Sequence, residues 1–305
     1  TNEFHGSGAW FNNNDNFNTR SNLDKRVFTK SPFRNENQVW MTLGGPVKKD
    51  KTFFYVSGMR WTDRQSASGT AIGAAPTQAG KDILNRIAGS RPQVKALIDF
   101  LPAAQSQTGT VNAVVGGVTS VIPTGNLSGA APNLLNVWQW SVRGDHRFND
   151  RQNLFMRYQA DTRETISGQA VPPGLTSQAP AERNIAVVGL TSSLTPGVFN
   201  ELRLSFNRQN SATIAADTNS QNIPSIEVSQ LGLAGFNAAA SRTAIGLALN
   251  LPQSGTLNNY QIADNLSWLR GSHAYKFGFD FRRQDQFTVF NPTLRGRLAY
   301  GTLQN

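Results

Sequence analysis

The sequence predicts an all-β fold, an antiparallel up-and-down transmembrane β-barrel segment of about ten long strands that forms an incomplete barrel. Three observations lead to this prediction. Apolar and polar residues alternate over stretches long enough to cross a bilayer. The connections between these stretches alternate between short turns on one side and long loops on the other. Basic residues in the middle of the strands lie opposite the aromatic face.

The composition favours strands that have one apolar and one polar face. Hydrophobic residues make up 38% of the 305 residues, and the mean hydropathy is −0.38. The chain nevertheless contains 18 Phe, 6 Trp and 5 Tyr, whereas disordered chains are poor in aromatic residues. No apolar run approaches the roughly 20 residues of a membrane-spanning helix. Because the chain has no cysteine, disulfides and thiol chemistry are excluded.

The alternation is clearest in the segment 137–147. Trp138 and Trp140 fall on one face, and Gln139 and Arg143 fall on the other. This is the two-residue period of a β-strand. The same period recurs in paired segments joined by short turns, at 38–45 with 52–64, 137–147 with 153–161, 185–189 with 202–207, and 260–268 with 273–283, and in single candidate edge strands at 4–11 and 296–303.

Long polar stretches separate these pairs, at 12–37, 65–136, 163–183 and 210–259. A compact soluble domain rarely contains several loops of this length. Bacterial outer-membrane barrels combine short periplasmic turns with long outside loops. The pattern of connections therefore favours a barrel wall over a soluble fold.

One of the long stretches carries a helical pattern at 77–102. Thr77 and Ser90 are suited to be N-caps, and Pro92 fits the first turn of a helix. Gly89 separates the two apolar groups of this segment. We therefore expect two short helices, broken near Gly89, inside one outside loop.

The net charge is +10, and the placement of the basic residues decides its meaning. A Lys or Arg that faces lipid at mid-membrane costs about 2–4 kcal/mol in a barrel, so basic residues in mid-strand should face the lumen. They form either a cationic wall that contacts an anionic or polar cargo, or a solvated lining that balances acids elsewhere. The lumen-facing candidates for cargo contact are Arg143, Arg157, Arg203, Lys276 and Arg282.

Asp264 is an exception, because the alternation places it on the apolar face with Tyr260 and Trp268. It requires a bulge, a position near the membrane interface, or a partner. Aromatic residues predicted near the turns would suit an interfacial girdle. They are Trp61, Phe148, Phe199, Trp268 and Tyr275.

No catalytic, cofactor-binding or metal site is predicted, and the chain is not expected to be an enzyme. His5, His146 and His273 are isolated, without neighbouring carboxylates at the spacing of metal ligands. Nucleic acid is not expected as a partner. Binding to single strands needs basic and aromatic residues on one face, and here they lie on opposite faces.

Several strings, in order along nearly the whole chain, resemble those of Oar-like TonB-dependent outer-membrane transporters. The first resembles the start of the barrel in that family, and the others resemble its strand–turn–strand hairpins. They are Thr1-Asn-Glu-Phe-His-Gly-Ser7, Leu43-Gly-Gly-Pro-Val-Lys-Lys-Asp-Lys-Thr-Phe-Phe-Tyr55, Arg143-Gly-Asp-His146 with Asn153-Leu-Phe-Met-Arg-Tyr158, Ser193-Leu-Thr-Pro196 with Asn200-Glu-Leu-Arg203, and Trp268-Leu-Arg-Gly-Ser-His273 with Lys276-Phe-Gly278.

The resemblance implies a 22-stranded barrel in the outer membrane of a Gram-negative-type bacterium, with an N-terminal plug and a TonB box. Residues 1–305 would then be the N-terminal portion of the barrel domain, with plug and TonB box absent from this chain. The implied partners are the TonB energy-coupling complex through the missing plug region, outer-membrane lipid and lipopolysaccharide, and an unknown cargo. The alternatives are a passive porin, a surface-adhesion barrel, or a soluble β-sandwich binding module.

Overall fold

The computed structural model describes residues 2–22, 24–27, 29–67, 71–216, 220–235 and 242–304. The strands, in chain order, are β1 (His5–Asn14), β2 (Arg34–Lys48), β3 (Thr52–Ala67), β4 (Ala71–Pro76), β5 (Gly109–Val115), β6 (Val118–Ser128), β7 (Ala131–Asn149), β8 (Gln152–Gly168), β9 (Thr176–Thr195), β10 (Val198–Ala215), β11 (Ser225–Val228), β12 (Gln253–Arg270), β13 (His273–Val289), β14 (Arg297–Tyr300) and β15 (Leu303–Gln304). The helices are α1 (Asp24–Val27), α2 (Gln78–Ala88) and α3 (Pro92–Phe100), and a 3-10 turn spans Ser229–Leu231.

Nine long strands form one antiparallel sheet in the order β1-β2-β3-β7-β8-β9-β10-β12-β13, which we call the wall. Each wall strand pairs with the next long strand in the sequence, so the predicted up-and-down arrangement is confirmed. β9 has 20 residues, which corresponds to roughly 66 Å of extended chain. About 9–11 tilted residues cross a bilayer, so the wall strands are long enough to extend beyond it.

The short turns follow from local chemistry. In the hairpin of β12 and β13, Arg270 pairs with His273, which leaves a two-residue turn of Gly271 and Ser272. Gly271 has φ 59°, a conformation that costs glycine no steric penalty. A two-residue turn whose first residue has a positive φ matches the right-handed twist of the flanking strands.

The wall begins at β1, as predicted, but it ends at β13 and has nine strands. The prediction of an edge strand at 296–303 is wrong. β14 pairs in parallel with β11, and β15 pairs in parallel with β5, so neither joins the wall. Both are too short to cross a bilayer, and their Leu298 and Leu303 pack against a core formed by the loops.

The long connections fold together into a second structure, which we call the loop assembly. It comprises residues 71–128, 169–175, 220–235, 242–252 and 291–304. A four-stranded sheet, β15-β5-β6-β4, packs with α2, α3 and the β11–β14 pair around a shared apolar core. The centre of this core is fully buried and includes Ile72, Leu101, Ile122, Leu231 and Ile245.

The two helices expected in the loop at 65–136 are present. The Thr77 hydroxyl accepts a hydrogen bond from the Gly80 amide at 3.2 Å and caps α2, which ends immediately before Gly89. The prediction of Ser90 as the second cap is wrong, because Pro92 is the first helical residue and Arg91 precedes it as the cap. No helix within the described residues is long and apolar enough to cross a membrane.

Candidate functional site

The pairing register places the predicted basic residues on one face of the wall. Arg143 is opposite Arg157 in the β7–β8 ladder, and Gln261 is opposite Arg282 in the β12–β13 ladder. Directly paired residues in an antiparallel sheet point to the same side, and every second residue of a strand shares that side. By this register all five predicted residues lie on what we call the polar face: Arg143, Arg157, Arg203, Lys276 and Arg282.

Three of these five basic residues are neutralised by a carboxylate two positions away on the same strand. The Arg143 guanidinium donates to both Asp145 oxygens, at 2.7 and 2.8 Å. Further pairs join Arg203 to Glu201 at 2.6 Å and Arg282 to Asp280 at 3.1 Å. The polar face is therefore a surface of paired charges, and it is less cationic than the five residues alone suggest.

The other two basic residues, Arg157 and Lys276, form no ion pair with a carboxylate among the described residues. Arg157 donates to the side-chain oxygen of Gln159 at 2.9 Å, which leaves its charge without a counter-ion in that contact. Among the described residues, Lys276 has no side-chain partner. Arg157 and Lys276 therefore carry the accessible positive charge of the set.

Cavities open along the polar face. One of about 470 Å³ near the short turns is lined by Phe53, Arg143, Asp145 and Phe155. Another lies between β3 and β8, and a third is formed at the loop end by β10, β12 and β13. These hollows lie on the side that corresponds to the lumen in a barrel of this kind.

The opposite side of the wall, which we call the apolar face, carries exposed hydrophobic residues in mid-strand, such as Leu204, Phe277 and Phe279. Toward the loop end the apolar band stops at an aromatic rim, which is followed by a polar residue on every wall strand except β8. The aromatic rim consists of Trp10, Trp138, Tyr158, Phe206 and Tyr260, and the polar row beyond it consists of Asn12, Asn37, Arg60, Asn136, Asn184, Arg208, Asn258 and Arg283.

Hydrogen bonds tie the rim to the polar row. The Trp10 indole donates to Asn37 at 3.1 Å, and the Tyr158 hydroxyl donates to Asn184 at 2.7 Å. Aromatic rings with an apolar body and a polar tip are enriched at membrane interfaces. The rim therefore marks the outer boundary of the apolar band.

The predicted girdle is only partly correct. Trp268 and Tyr275 lie on the apolar face near a short turn, with ring centroids 5.4 Å apart. Trp61 and Phe199 instead lie on the polar face, and the Trp61 indole donates to Glu36 at 3.0 Å. Phe199 shares the side of Arg203, because the two residues are four positions apart in the regular pairing of β10 with β12.

The exceptional Asp264 has a partner. It lies on the apolar face, opposite Leu202 in the β10–β12 ladder, and the β10–β12 pairing is regular there. The Asn200 side chain donates to its carboxylate at 2.8 Å. Of the three explanations open from the sequence, a partner is observed and a bulge is not.

The sequence of this chain matches a known protein family along its entire length. The sequence-family model described as "Outer membrane beta barrel domain" matches residues 1–305. The chain belongs to this family. The outer membrane is therefore its location, and the apolar face is the side that a bilayer would cover.

Solved structures resemble the barrel domain at low sequence identity. The outer membrane transporter YddB from Escherichia coli aligns with a TM-score of 0.54 and 10% identity, over 94% of this chain and 31% of that one. The siderophore receptor PiuA from Acinetobacter baumannii aligns with a TM-score of 0.42 and 9% identity, over 96% of this chain and 44% of that one. The likeness to YddB reflects a shared fold. No curated protein matches the sequence.

In this barrel domain the loop assembly is held by a buried arginine. Arg242 is 3% exposed, and its guanidinium donates to the carbonyls of Gly235, Gly246 and Leu247. It also donates to the hydroxyl of Ser225, so one side chain joins β11 to the segment after 242. Burial lowers the pKa of Arg242 below its usual value, and nearby Glu227 opposes this shift.

The loop assembly also contains an apolar cavity of about 290 Å³. Four separate segments line it, with Leu84 and Leu97 from the helices, Ala113 from β5, Ile226 from β11, and Leu303 from β15. Sequence reasoning missed this cavity, because its walls are 219 positions apart in the chain, from Leu84 to Leu303. The available signal was local: Ile226 lies in an apolar segment, beginning at Ser225, that suggests a short helix or ordered turn within the long connection 210–259.

Proposed function

We propose that this chain is the wall and outer loops of an energised outer-membrane transporter of the TonB-dependent, Oar-like type. The observation that carries the proposal is the loop assembly. Its loops are not loose connections but share one apolar core across three connections and the segment after β13. A porin needs an open lumen, whereas a receptor needs a preformed outer surface that holds its cargo.

In this proposal cargo is captured at the loop assembly and then moves along the polar face. The paired charges of Arg143, Arg203 and Arg282 make that face hydrophilic with little net attraction, so a polar cargo passes without being held. Arg157 and Lys276 are the contacts with an anionic group. No bond is made or broken, so the protein is a carrier and not an enzyme.

The energy-coupling partner in this proposal is the TonB complex, which engages a plug region outside these 305 residues. The proposal is supported by the fold shared with a known outer membrane transporter, YddB, of which this chain spans 31%.

The natural full-length protein tests the proposal in two measurements. Reconstituted in a planar bilayer, a plugged transporter should show no steady conductance, and the purified periplasmic domain of TonB should bind it. A stable open-channel conductance without TonB binding would support the passive porin instead. A closed protein that binds no TonB but attaches cells to a surface would support the adhesion barrel.

The assignment of the polar face to the lumen and of the apolar face to lipid can be tested in the same full-length protein. Cysteines introduced at Arg157 and Lys276 should react with a water-soluble maleimide, and cysteines introduced at Leu204 and Phe277 should not react while the protein is in a bilayer. Equal labelling of both sets would contradict a passage along the polar face.

A further inference from the structure

Two arginines on β3 lie on the side of the wall that faces lipid. Arg60 is opposite Val39 and Trp138, and Arg64 is four residues further along the same face. At about 3.3 Å per residue their Cα atoms are roughly 13 Å apart. Both lie beyond the mid-strand apolar residues, at the level of the aromatic rim and the polar row. A basic residue is tolerated on the lipid side near the interface but not at the midplane.

Arg60 is held in place by an aromatic ring. Its guanidinium carbon lies 4.5 Å from the ring centre of Trp138, whose side chain is 56% exposed. One Nη atom donates to the Asn136 side chain at 3.3 Å, the only side-chain acceptor of Arg60 among the described residues. The planar guanidinium carries five N–H donors, so the donors that Asn136 does not use remain for a phosphate.

Arg64 has no side-chain partner among the described residues and is exposed. The nearest acid of this face along the ladders is Glu164 on β8, which is occupied by the amides of Asn136 and Gln178. By contrast, Arg283 elsewhere in the polar row is neutralised by Asp285 at 3.1 Å. Arg60 and Arg64 therefore form a cationic pair without a counter-ion on an otherwise lipid-covered surface.

We propose that Arg60, Arg64 and Trp138 form a binding site for a phosphorylated glycolipid of the outer leaflet, with lipopolysaccharide as the occupant. The arginines bind its phosphate groups, and the exposed Trp138 ring contacts the first part of its acyl region. The identity of the occupant follows from the location of the chain. The aromatic rim lies at the loop end, and long loops lie outside the cell in such barrels. The anionic headgroups at this level are those of the outer leaflet.

The test uses the natural full-length protein, purified from outer membranes in mild detergent and stripped of lipid. Its affinity is measured for purified lipopolysaccharide, for the same lipopolysaccharide after phosphatase treatment, and for phosphatidylglycerol. The variant is Arg60→Gln with Arg64→Gln. The matched control is Arg163→Gln with Arg183→Gln, because these two exposed arginines lie at a similar height on the polar face.

We expect the Arg60/Arg64 variant to bind lipopolysaccharide about tenfold or more weakly, since each basic residue near an anionic lipid surface adds roughly 1 kcal/mol. The Arg163/Arg183 control should bind as the parent protein does. Phosphatase treatment should weaken binding to the parent by a similar factor and have little effect on the variant. Heat-dependent migration in electrophoresis verifies that each variant is folded.

Two results would overturn the proposal. Unchanged affinity in the folded Arg60/Arg64 variant would remove the two arginines from the site. Equal affinity for phosphatidylglycerol would make the site a general anion patch and exclude the glycolipid as its specific occupant. Because neither measurement depends on cargo or TonB, failure here leaves the transport proposal intact.

Discussion

The wall and the loop assembly bury their hydrophobic residues in different ways. In the wall, large apolar side chains are exposed on one face, and Phe279 is 61% exposed. In the loop assembly Ile122 and Leu231 are completely buried, as in a soluble domain. The wall therefore depends on lipid to cover it, whereas the loop assembly buries its apolar residues in its own interior.

This difference implies that the two regions should respond to different substitutions. The loop assembly should be sensitive to cavities in its core and to the loss of buried hydrogen bonds. The wall should be sensitive to which face receives a charge. Four predictions test this division, from the largest expected effect to the smallest.

Leu231→Ala should destabilise the loop assembly by about 2–5 kcal/mol, because it leaves a cavity at a fully buried position. Limited proteolysis of intact cells should then cut the loops, while heat-dependent migration of the barrel stays unchanged. Leu294→Ala, at a side chain that is 52% exposed, is the matched control and should have little effect. Loss of the barrel together with the loops would show that the two regions fold as one unit.

Leu204→Arg should lower the free energy of unfolding in lipid by about 2–4 kcal/mol, because it places a charge on the apolar face in mid-strand. Ser205→Arg, one residue further and on the polar face, should change it by less than about 0.5 kcal/mol. Urea titration of the protein in vesicles measures both. An equal loss in the free energy of unfolding for both variants would mean that the two faces are in contact with the same environment.

Arg242→Gln should destabilise the loop assembly by about 1–3 kcal/mol, because several buried carbonyl groups lose their donor. Hydrogen exchange should accelerate at the amides of β11 and stay unchanged at the amides of β8. Arg86→Gln, at an exposed position of α2, is the control. Normal protection of β11 in the Arg242 variant would show that the arginine does not hold the segments together.

Asn200→Leu should cost the wall about 1–2 kcal/mol, because the Asp264 carboxylate loses its partner on the apolar face. The double variant Asn200→Leu with Asp264→Leu should recover that loss or exceed the parent stability, since no unpaired polar group remains. The same urea titration measures this. A double variant as unstable as the single one would assign Asn200 a role apart from Asp264.

The sequence by itself determined the wall. The two-residue period identified eight of its nine strands within paired segments and the ninth at 4–11, because alternation is a local property that each strand carries alone. It also placed Arg143, Arg157, Arg203, Lys276 and Arg282 on one face. The glycine and proline of the turns and the helices near Thr77 were equally local signals.

Only the tertiary structure decided how the loops pack and which charges are neutralised. The pairing of β14 with β11 and of β15 with β5 joins segments far apart in sequence, and no periodicity encodes such a contact. The carboxylates beside Arg143, Arg203 and Arg282 were visible at two-residue spacing, but their ion pairs depend on rotamers. The Arg60–Trp138 contact needs the register of β3 against β7, which hydrogen bonding between strands sets.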